Sequence, residues 1–338
     1  MTKAQQINQT KEEFRSRGDV VNPITRAVTA VSLAAACASG AHASEGLFYG
    51  GPTGGTDIGQ AYLPEHPGFY GAFLLGGLTT DKMYGNDARQ ENISARSQIS
   101  IALAAIQYVY PFKLAGGTIA SAAAFSYLPY THAEIGGVSQ YNSGVQDLYM
   151  DVLSWSRHIA GTGTGVPGSP LPYGLTVKLA YSMILPIGDY RTDKIIKAGH
   201  NVFFFIPNAS VSYLTGPNRL GDGTEFTLSV FYDIASLNRT TNYSTGDVID
   251  FDYAVSERIG RWQVGVAGNY ATQIQDDRIG NTVVNGNGDR VGAAAIGPVI
   301  AYAIPEWRAM VKFKYQYGIW QRNRPNQNLL ILTFAKAL

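Results

Sequence analysis

Residues 247–276, DVIDFDYAVSERIGRWQVGVAGNYATQIQD, alternate between apolar and polar side chains over two runs of about twelve residues each. In the first run Phe251 and Tyr253 share one face, and Asp250 and Asp252 share the other. The Gly260-Arg261 pair then turns the chain into the second run. Two alternating runs around a tight turn predict a long β-hairpin. Strands of this length with one apolar and one polar face are typical of a membrane β-barrel, and a hairpin of a soluble β-sandwich is the alternative.

The composition favours such a barrel and argues against a nucleic-acid partner. The chain has 338 residues, a formal net charge of +1 and 15% charged residues, with 38 glycines and 21 tyrosines. Tyrosines supply the interfacial girdles of membrane barrels, glycines supply turns, and few charges suit a lipid-facing surface. No apolar run of about 18 residues, the length of a membrane-spanning helix, follows the N-terminal region.

Residues 1–43 have the pattern of a secretory signal peptide. Basic residues precede the small apolar stretch 27–36, and Ala41-His42-Ala43 fits the small-x-small pattern of a cleavage site. A lipoprotein signal, with Cys37 as the first mature residue, is the alternative. Cys37 is the one cysteine of the chain, so cleavage after Ala43 would leave no thiol for catalysis, a disulfide or a metal site.

We expect residues 44–68 to form an N-terminal segment in the periplasm or inside the barrel, and residues 69–338 to form the barrel. The fold class is therefore all-β, a transmembrane antiparallel up-and-down barrel of about 12 strands. The predicted runs are 69–79, 95–110, 118–128, 144–160, 175–187, 201–214, 223–235, 248–259, 261–273, 291–302, 309–319 and 328–338. Longer polar linkers, such as 80–94, 129–143 and 274–290, alternate with shorter connections, as expected for outer-membrane barrels. The linker 161–174 breaks this rule.

Several stretches in order resemble the phenol meta-pathway degradation family of outer-membrane proteins. They are YPFKLAGG at 110–117, GVQDL at 144–148, LPIGDY at 185–190, GHNVFFFIPNASVSYL at 199–214, YSTGDVIDFDYA at 243–254, GNGDRVGAAAIGPVIAY at 286–302 and KYQYGIWQRNRP at 314–325. The resemblance covers most of the chain after residue 44, and the Lys-Ala-Leu end departs from the aromatic endings common in such proteins. It implies an outer-membrane barrel that takes part in the uptake of aromatic compounds.

The polar faces supply the candidate functional residues of the barrel interior. The residues predicted to line it are Asp147, Lys178, Asp250, Asp252, Arg258, Lys312 and Lys314. Those predicted to face lipid are Phe251, Tyr253, Trp262, Val264, Phe313 and Tyr315. Charged side chains inside a barrel either set the selectivity of a pore or form ion pairs that fill and rigidify it, and both alternatives stay open.

Two further sets of residues are candidates for solute contact and for the barrel rim. Phe48, Tyr49 and Tyr62 are predicted to form an aromatic constriction or ligand contact if the N-terminal segment enters the barrel. Asn323 and Arg324 are predicted to form a fixed feature of the rim, with Arg324 able to clamp a carboxylate.

The sequence therefore predicts an outer-membrane channel for passive uptake of small hydrophobic or aromatic molecules. A structural or adhesive barrel without transport is the alternative. The expected partners are outer-membrane lipid, the solute and the outer-membrane assembly machinery. No cofactor or metal site is expected, since no pair of histidines has the spacing of metal ligands. Ser156 and His158 are the nearest approach to a catalytic pair, and their spacing is commonplace on a strand.

Overall fold

The hairpin at residues 247–276 forms two strands, Val248–Ile259 and Trp262–Gln273, whose residues pair in register from Val248↔Gln273 to Ile259↔Trp262. The chain is seen in a computed structural model that describes residue 45 and residues 50–52, 54–161 and 171–338. The predicted signal peptide, Phe48 and Tyr49 lie outside these residues.

The described residues form a closed antiparallel barrel of 12 strands, which confirms the predicted fold class. One strand, β4, is interrupted at residues 146 and 147. The strands are β1 (Gly68–Thr80), β2 (Ala95–Leu114), β3 (Gly117–Ile135), β4 (Val138–Val145 and Leu148–Ala160), β5 (Gly174–Leu185), β6 (Phe204–Leu214), β7 (Gly223–Ala235), β8 (Val248–Ile259), β9 (Trp262–Gln273), β10 (Gly292–Ile304), β11 (Ala309–Arg322) and β12 (Asn328–Ala337).

The barrel closes because its first and last strands pair with each other. Strand β1 is hydrogen-bonded to β12 from Tyr70↔Ala337 to Thr79↔Asn328, and its other edge pairs with β2. Each remaining strand pairs with its neighbours in the sequence. This ring of consecutive antiparallel pairs satisfies the backbone of every strand without exposing an edge to lipid.

The outer face of the barrel is apolar. Each strand carries large apolar side chains that are exposed on this face, such as Val266 and Tyr270 on β9 and Leu330 and Leu332 on β12. Aromatic pairs lie near one end of the barrel, including Trp262 with Tyr302, whose ring centroids are 4.6 Å apart. An apolar belt bordered by aromatic side chains is the lipid-facing surface of an outer-membrane barrel.

The connections differ at the two ends of the barrel. At the end we call the turn end, β2 joins β3 through residues 115–116 and β8 joins β9 through residues 260–261. At the opposite end, the loop end, the connections include residues 81–94, 186–203 and 274–291. Outer-membrane barrels have short periplasmic turns and long external loops, so we expect the turn end to be periplasmic.

One predicted loop is wrong. Residues 129–143 were expected to form a polar linker, but β3 continues to Ile135 and β4 begins at Val138 after a two-residue turn. With 20 and 19 residues, β2 and β3 are too long for the hydrocarbon layer alone, because a tilted strand needs only about 9–11 residues to cross it. Beyond the lipid both faces of such a strand meet water, so its sequence loses the apolar alternation that marks the membrane part.

Short elements order the loop end. Met83–Tyr84 pairs with Arg324–Pro325, and Arg278–Ile279 pairs with both Tyr243–Ser244 and Thr282–Val283. The helical elements of the described residues are two 3-10 turns, Val284–Gly286 and Pro305–Trp307. No helix in this part of the chain has the length and hydropathy needed to cross a membrane.

Candidate functional site

The interior of the barrel is polar and contains a second stretch of chain. Residues 50–52 and 54–66, which we call the inner segment, precede β1 and contact inward-facing side chains of β4, β6, β7, β8 and β11. Backbone N–H groups of Gly51, Gly54 and Gly59 donate to the carboxylates of Asp233, Asp252 and Glu225 over 2.6, 2.8 and 2.6 Å. The acidic residues of the wall therefore hold the inner segment mainly by its backbone, and Asp252 also accepts from the Thr56 hydroxyl.

The central contact of the inner segment is an ion pair between Asp57 and two lysines of β11. The Asp57 carboxylate accepts from Nζ of Lys312 over 2.5 Å and from Nζ of Lys314 over 2.6 Å. Lys314 also donates to the backbone oxygen of Gly54. Asp57 is 2% exposed and Lys314 1%, so bulk water does not reach the contact between these two side chains. Burial raises the pKa of Asp57, but the two lysines outweigh it and hold this pKa below its usual value.

The glycines of the inner segment allow it to pass close to the wall. A Cβ at Gly51 would lie 2.4 Å from Oδ2 of Asp250, and a Cβ at Gly54 would lie 2.2 Å from Oε1 of Gln316. Gly54 also has φ +74, a left-handed conformation that other residues rarely adopt. The absence of a side chain at these two positions is thus a condition for the hydrogen bonds to Asp233 and Asp252.

Glu45 connects the chain before the inner segment to the loop end. Its carboxylate accepts from the Tyr190 hydroxyl and the Asn238 amide, both over 2.6 Å, and from the Thr241 hydroxyl over 2.9 Å. Burial, together with the hydrogen bond to Glu45, raises the pKa of Tyr190 to about 12. The chain therefore enters from the loop end and reaches the turn end, where β1 begins at Gly68.

The other charged residues predicted to line the barrel are buried or paired within it. Lys178 contacts Asp151 over 3.3 Å, and Arg258 contacts Glu225 over 2.6 Å. Asp250 and Asp252 are 0% and 1% exposed. The sequence analysis missed the wall residues that pair with Lys178 and Arg258. They are Asp151 on β4 and Glu225 on β7, and each alternates with outward-facing neighbours along its strand.

Asp147 lies elsewhere than predicted. It was assigned to a strand facing the interior, but it occupies the interruption of β4 and binds the loop between β5 and β6. Its carboxylate accepts from the backbone N–H groups of Gly188 and His200 over 2.9 and 2.7 Å, and it lies 3.0 Å from Nδ1 of His200. These three partners come from the connection 186–203, so Asp147 anchors that loop to the barrel.

Asn323 and Arg324 lie at the loop end in ordered backbone. Asn323 has a left-handed φ of 51, donates its backbone N–H to Gly85 over 3.1 Å, and donates from its side chain to Asn86 and to the backbone oxygen of Arg290. Arg324 is 1% exposed and belongs to the strand pair with Met83–Tyr84. The carboxylate clamp by Arg324 stays a prediction.

An apolar cluster lies inside the barrel toward the loop end. Its buried members are Ile184, Val202, Phe204, Ile206 and Phe231. The inner segment touches it at Gly50, where a Cβ would lie 2.5 Å from Cδ1 of Phe204. The cluster could have been found in the sequence, because Phe204 and Ile206 alternate with Phe203 and Phe205 along the strand.

A cavity of about 400 Å³ lies at the turn end, between the inner segment and the ends of β2 to β5. Tyr62, predicted as a constriction or ligand contact, is one of its lining residues together with Leu63 and His158. Cavities of a few hundred cubic ångströms lined by apolar residues and a few polar groups are typical of small-molecule sites.

Comparison with known families identifies the group to which this barrel belongs. The model of the family described as "Putative MetA-pathway of phenol degradation" matches residues 80–334. The chain belongs to this family. The match confirms the resemblance seen in the sequence, and it spans β2 to β11 and most of β12. The inner segment precedes the matched residues.

Two solved structures illustrate what this family member is similar to. The outer-membrane channel COG4313 from Pseudomonas putida F1 superposes with a TM-score of 0.69 at 12% identity, covering 84% of this chain and 100% of that chain. The β domain of the Bordetella autotransporter BrkA gives a TM-score of 0.44 at 12% identity, covering 79% and 99%. The first likeness shows a common fold. A comparison with curated protein sequences finds no match.

Proposed function

We propose that this member of the phenol-degradation family provides a passive path across the outer membrane for small hydrophobic and aromatic molecules. The observation that carries the proposal is the burial of charged side chains at the centre of the barrel. Asp57, Asp252 and Lys314 are at most 2% exposed where the inner segment meets β8 and β11. A water-filled pore for hydrophilic solutes would expose such charged side chains, as it does in open porins.

Apolar side chains on both sides of this centre support an apolar solute. The cluster around Phe204 and Phe231, toward the loop end, is closed in this structure and would have to open to admit a solute, and the cavity beside Leu63 lies at the turn end. A solute that dissolves poorly in water gains from apolar contacts before and after the polar centre. Two comparisons agree with this proposal. The family is described by phenol degradation, and the COG4313 protein is named as an outer-membrane channel.

Passage requires the inner segment to move. Its hydrogen bonds to Asp233, Asp252 and Glu225 and the Asp57 ion pair bridge the interior. The strands themselves are fixed by closed backbone pairing, whereas the inner segment has no strand pairing among the described residues. In this account the paired charges of the interior hold the inner segment in place and so keep the channel closed. Their alternative role is to line an open pore and set its selectivity.

A structural or adhesive barrel without transport is the second candidate. The buried ion pairs Lys178–Asp151 and Arg258–Glu225 favour it, because they rigidify the wall whether or not any solute passes. A catalytic role has less support. Ser156 donates to the backbone oxygen of Ala61 and His158 lies 3.3 Å from Oγ1 of Thr176, so each of the two residues has a different partner. Within the described residues no group of three or more His, Cys, Asp or Glu is placed to hold a metal ion.

We also propose that the outer-membrane assembly machinery inserts this barrel by recognising β12. This strand carries Leu330, Leu332 and Phe334 on its lipid-facing side and closes the barrel against β1. Lys336 lies on the same face near the turn end, where its long side chain can reach the interface and keep its ammonium group in water.

Uptake by cells tests the proposed function. Two isogenic strains, with and without the gene, are given labelled toluene at concentrations low enough for the envelope to limit the rate. Faster uptake with the gene supports the channel. Equal uptake, in a strain whose membranes contain the folded barrel, leaves the structural barrel as the better account.

A further inference from the structure

On one side of the barrel the sheet continues past the lipid-facing belt at the loop end. Strand β1 ends at Thr80, whereas β3 continues to Ile135 and then turns into β4. We call the loop-end parts of three neighbouring strands the sheet extension, which comprises residues 95–100 of β2, 130–135 of β3 and 138–143 of β4. At about 3.3 Å per residue and a strand tilt of about 40°, Arg96 lies about 15 Å beyond Ala102, the last apolar outward-facing residue of β2. The sheet extension therefore stands above the acyl chains.

The inner face of the sheet extension is covered by other parts of the chain. Thr131 and Ala133 on this face are each 2% exposed. The side-chain oxygen of Gln140 accepts from a backbone N–H of the loop 186–203 over 2.8 Å, and the Asn142 amide donates to a backbone oxygen of the same loop over 3.1 Å. These contacts fix the backbone that presents the outer face.

The outer face of the sheet extension carries a group of aromatic rings in contact with one another. The ring of His132 is stacked on that of Tyr141, with centroids 4.4 Å apart and 16° between the planes, and Tyr130 lies 6.1 Å from Tyr141. The Ser139 hydroxyl, 3.0 Å from Nε2 of His132, holds the imidazole in place. Tyr141 is still 63% exposed and Tyr130 42%, so these rings form an open surface and do not fill a core.

Polar side chains share the outer face with these rings. Gln98 is paired in register with His132, and Arg96 with Glu134. Both Arg96 and Gln98 are exposed. Charged side chains are destabilising on the lipid face of a barrel, so this face does not fit acyl chains. It fits a hydrated layer that also offers apolar contacts.

The sugars of lipopolysaccharide form such a layer directly above the acyl chains of the outer leaflet. Sugar rings combine apolar C–H faces with hydroxyl groups at their edges, and the acidic and phosphorylated sugars among them are anionic. The ring faces of Tyr130 and Tyr141 suit the C–H faces, the Gln98 amide suits hydroxyl groups, and the Arg96 guanidinium suits an anionic group. The sheet extension also continues the surface that meets the lipid part of the same molecule.

We propose that the sheet extension is a binding site for the core sugars of lipopolysaccharide, with the stacked pair of His132 and Tyr141 at its centre. The acyl chains of the bound molecule lie against the belt below, where Phe125 of β3 is 55% exposed. This site goes beyond the proposed function, because it fixes the loop end of the barrel in the outer leaflet whether or not a solute passes.

Native mass spectrometry of the barrel isolated in detergent tests the site. The barrel is titrated with lipopolysaccharide that has its core sugars, with lipid A, which lacks them, and with phosphatidylglycerol. We expect the first to bind most tightly and its affinity to fall about five-fold in Tyr141→Ala, the effect of losing one ring contact. Arg96→Gln should lower the same affinity by a smaller factor, because Arg96 is exposed. The affinity for lipid A should not change in Tyr141→Ala.

The matched control is Tyr270→Ala, which removes a ring from another stacked pair near the loop end. Tyr270 lies in the lipid-facing belt with its centroid 5.9 Å from that of Trp320 and 20° between the planes. This variant should bind core lipopolysaccharide as the unaltered chain does. Equal affinity of Tyr141→Ala and the unaltered chain overturns the site, as does equal weakening by Tyr270→Ala. Lipid A or phosphatidylglycerol binding as tightly as core lipopolysaccharide overturns it as well.

A photo-cross-linker keeps the proposal testable if Tyr141→Ala fails to fold. In a Cys37→Ser background, Ser143→Cys carries a benzophenone label on the outer face of the sheet extension, and Leu220→Cys carries one in the turn between β6 and β7. Irradiation of whole cells should give lipopolysaccharide adducts with the first label and not with the second. Equal adducts from both labels contradict the site, and adducts of the first label with a protein alone would show that its partner is a protein.

Discussion

Replacing Asp57 with asparagine should release the inner segment from the barrel wall. The change removes the carboxylate that pairs with Lys312 and Lys314 over 2.5 and 2.6 Å, and leaves the Asp252 carboxylate as the nearby negative charge for Lys314. The side chain of Lys314 is 1% exposed and that of Asp57 0%, so solvent does not replace the lost partner. Breaking a buried ion pair from one side costs about 3–5 kcal/mol.

The lower figure applies to Asp57→Asn, because the amide oxygen of asparagine still accepts a hydrogen bond. A loss of about 3 kcal/mol in the docking free energy of the inner segment raises its detached fraction about a hundredfold. The barrel strands do not depend on this contact, so the folded barrel should persist. Planar-bilayer recordings should therefore show more frequent openings of Asp57→Asn at neutral pH and 0.15 M salt.

The control is Asp193→Asn, which removes an exposed carboxylate that contacts Arg191 over 3.3 Å at the loop end. This variant should open as rarely as the unaltered chain. The double variant Asp57→Asn with Lys314→Met should close again in part, since it removes one of the two buried positive charges that had paired with Asp57. Identical opening of Asp57→Asn and Asp193→Asn would refute the reasoning.

The same ion pair sets an acid limit for closure. The pKa of Asp57 is lowered by the two lysines against the opposing effect of burial. The stabilisation is therefore complete above the ordinary value of 3.8 and is lost only as the pH falls through the lower pKa of the docked state. Openings should therefore increase as the pH falls below 3.8, and bilayer recordings at successively lower pH would show this.

Three further predictions concern the wall and the loop end. Val266→Arg on the lipid-facing side of β9 should lower the free energy of unfolding by about 2–4 kcal/mol if it lies near the bilayer midplane. If Val266→Arg folds into lipid vesicles with the same yield as Leu220→Arg in the turn, the orientation of β9 is wrong. Asp147→Asn should loosen the loop 186–203 and speed its cleavage by trypsin after Lys194, and an unchanged rate would show that Asp147 does not anchor it. Hydrogen exchange in residues 320–327 should be far slower than in a free peptide, because Asn323 donates to Gly85, and free-peptide rates would indicate a mobile rim.

The membrane strands were predictable because lipid and water impose a strict alternation on them. Phe251 and Tyr253 point outward while Asp250 and Asp252 are buried, as the pattern of β8 requires. The alternation fails in residues 129–143, where β3 and β4 extend beyond the lipid and both faces are polar. Sequence pattern therefore located the barrel wall well and its external extensions poorly.

The contacts of the inner segment were not predictable from pattern. Asp57 lies in a glycine-rich stretch without a period, and nothing in its surroundings indicates that β11 supplies its partners. The lysines themselves were found, because Lys312 and Lys314 alternate with Phe313 and Tyr315. The prediction for Asp147 was wrong for a related reason, because a two-residue interruption within β4 does not change the hydrophobic pattern of the sequence.

Solute entry into vesicles tests the central claim most directly. The purified barrel is reconstituted into vesicles whose outer leaflet is lipopolysaccharide, because this leaflet slows apolar solutes that cross phospholipid freely. The entry of labelled toluene and of sucrose is then timed with and without the protein. The account predicts that the barrel speeds the entry of toluene and leaves that of sucrose unchanged. Unchanged toluene entry, or equal acceleration of both solutes, would contradict it.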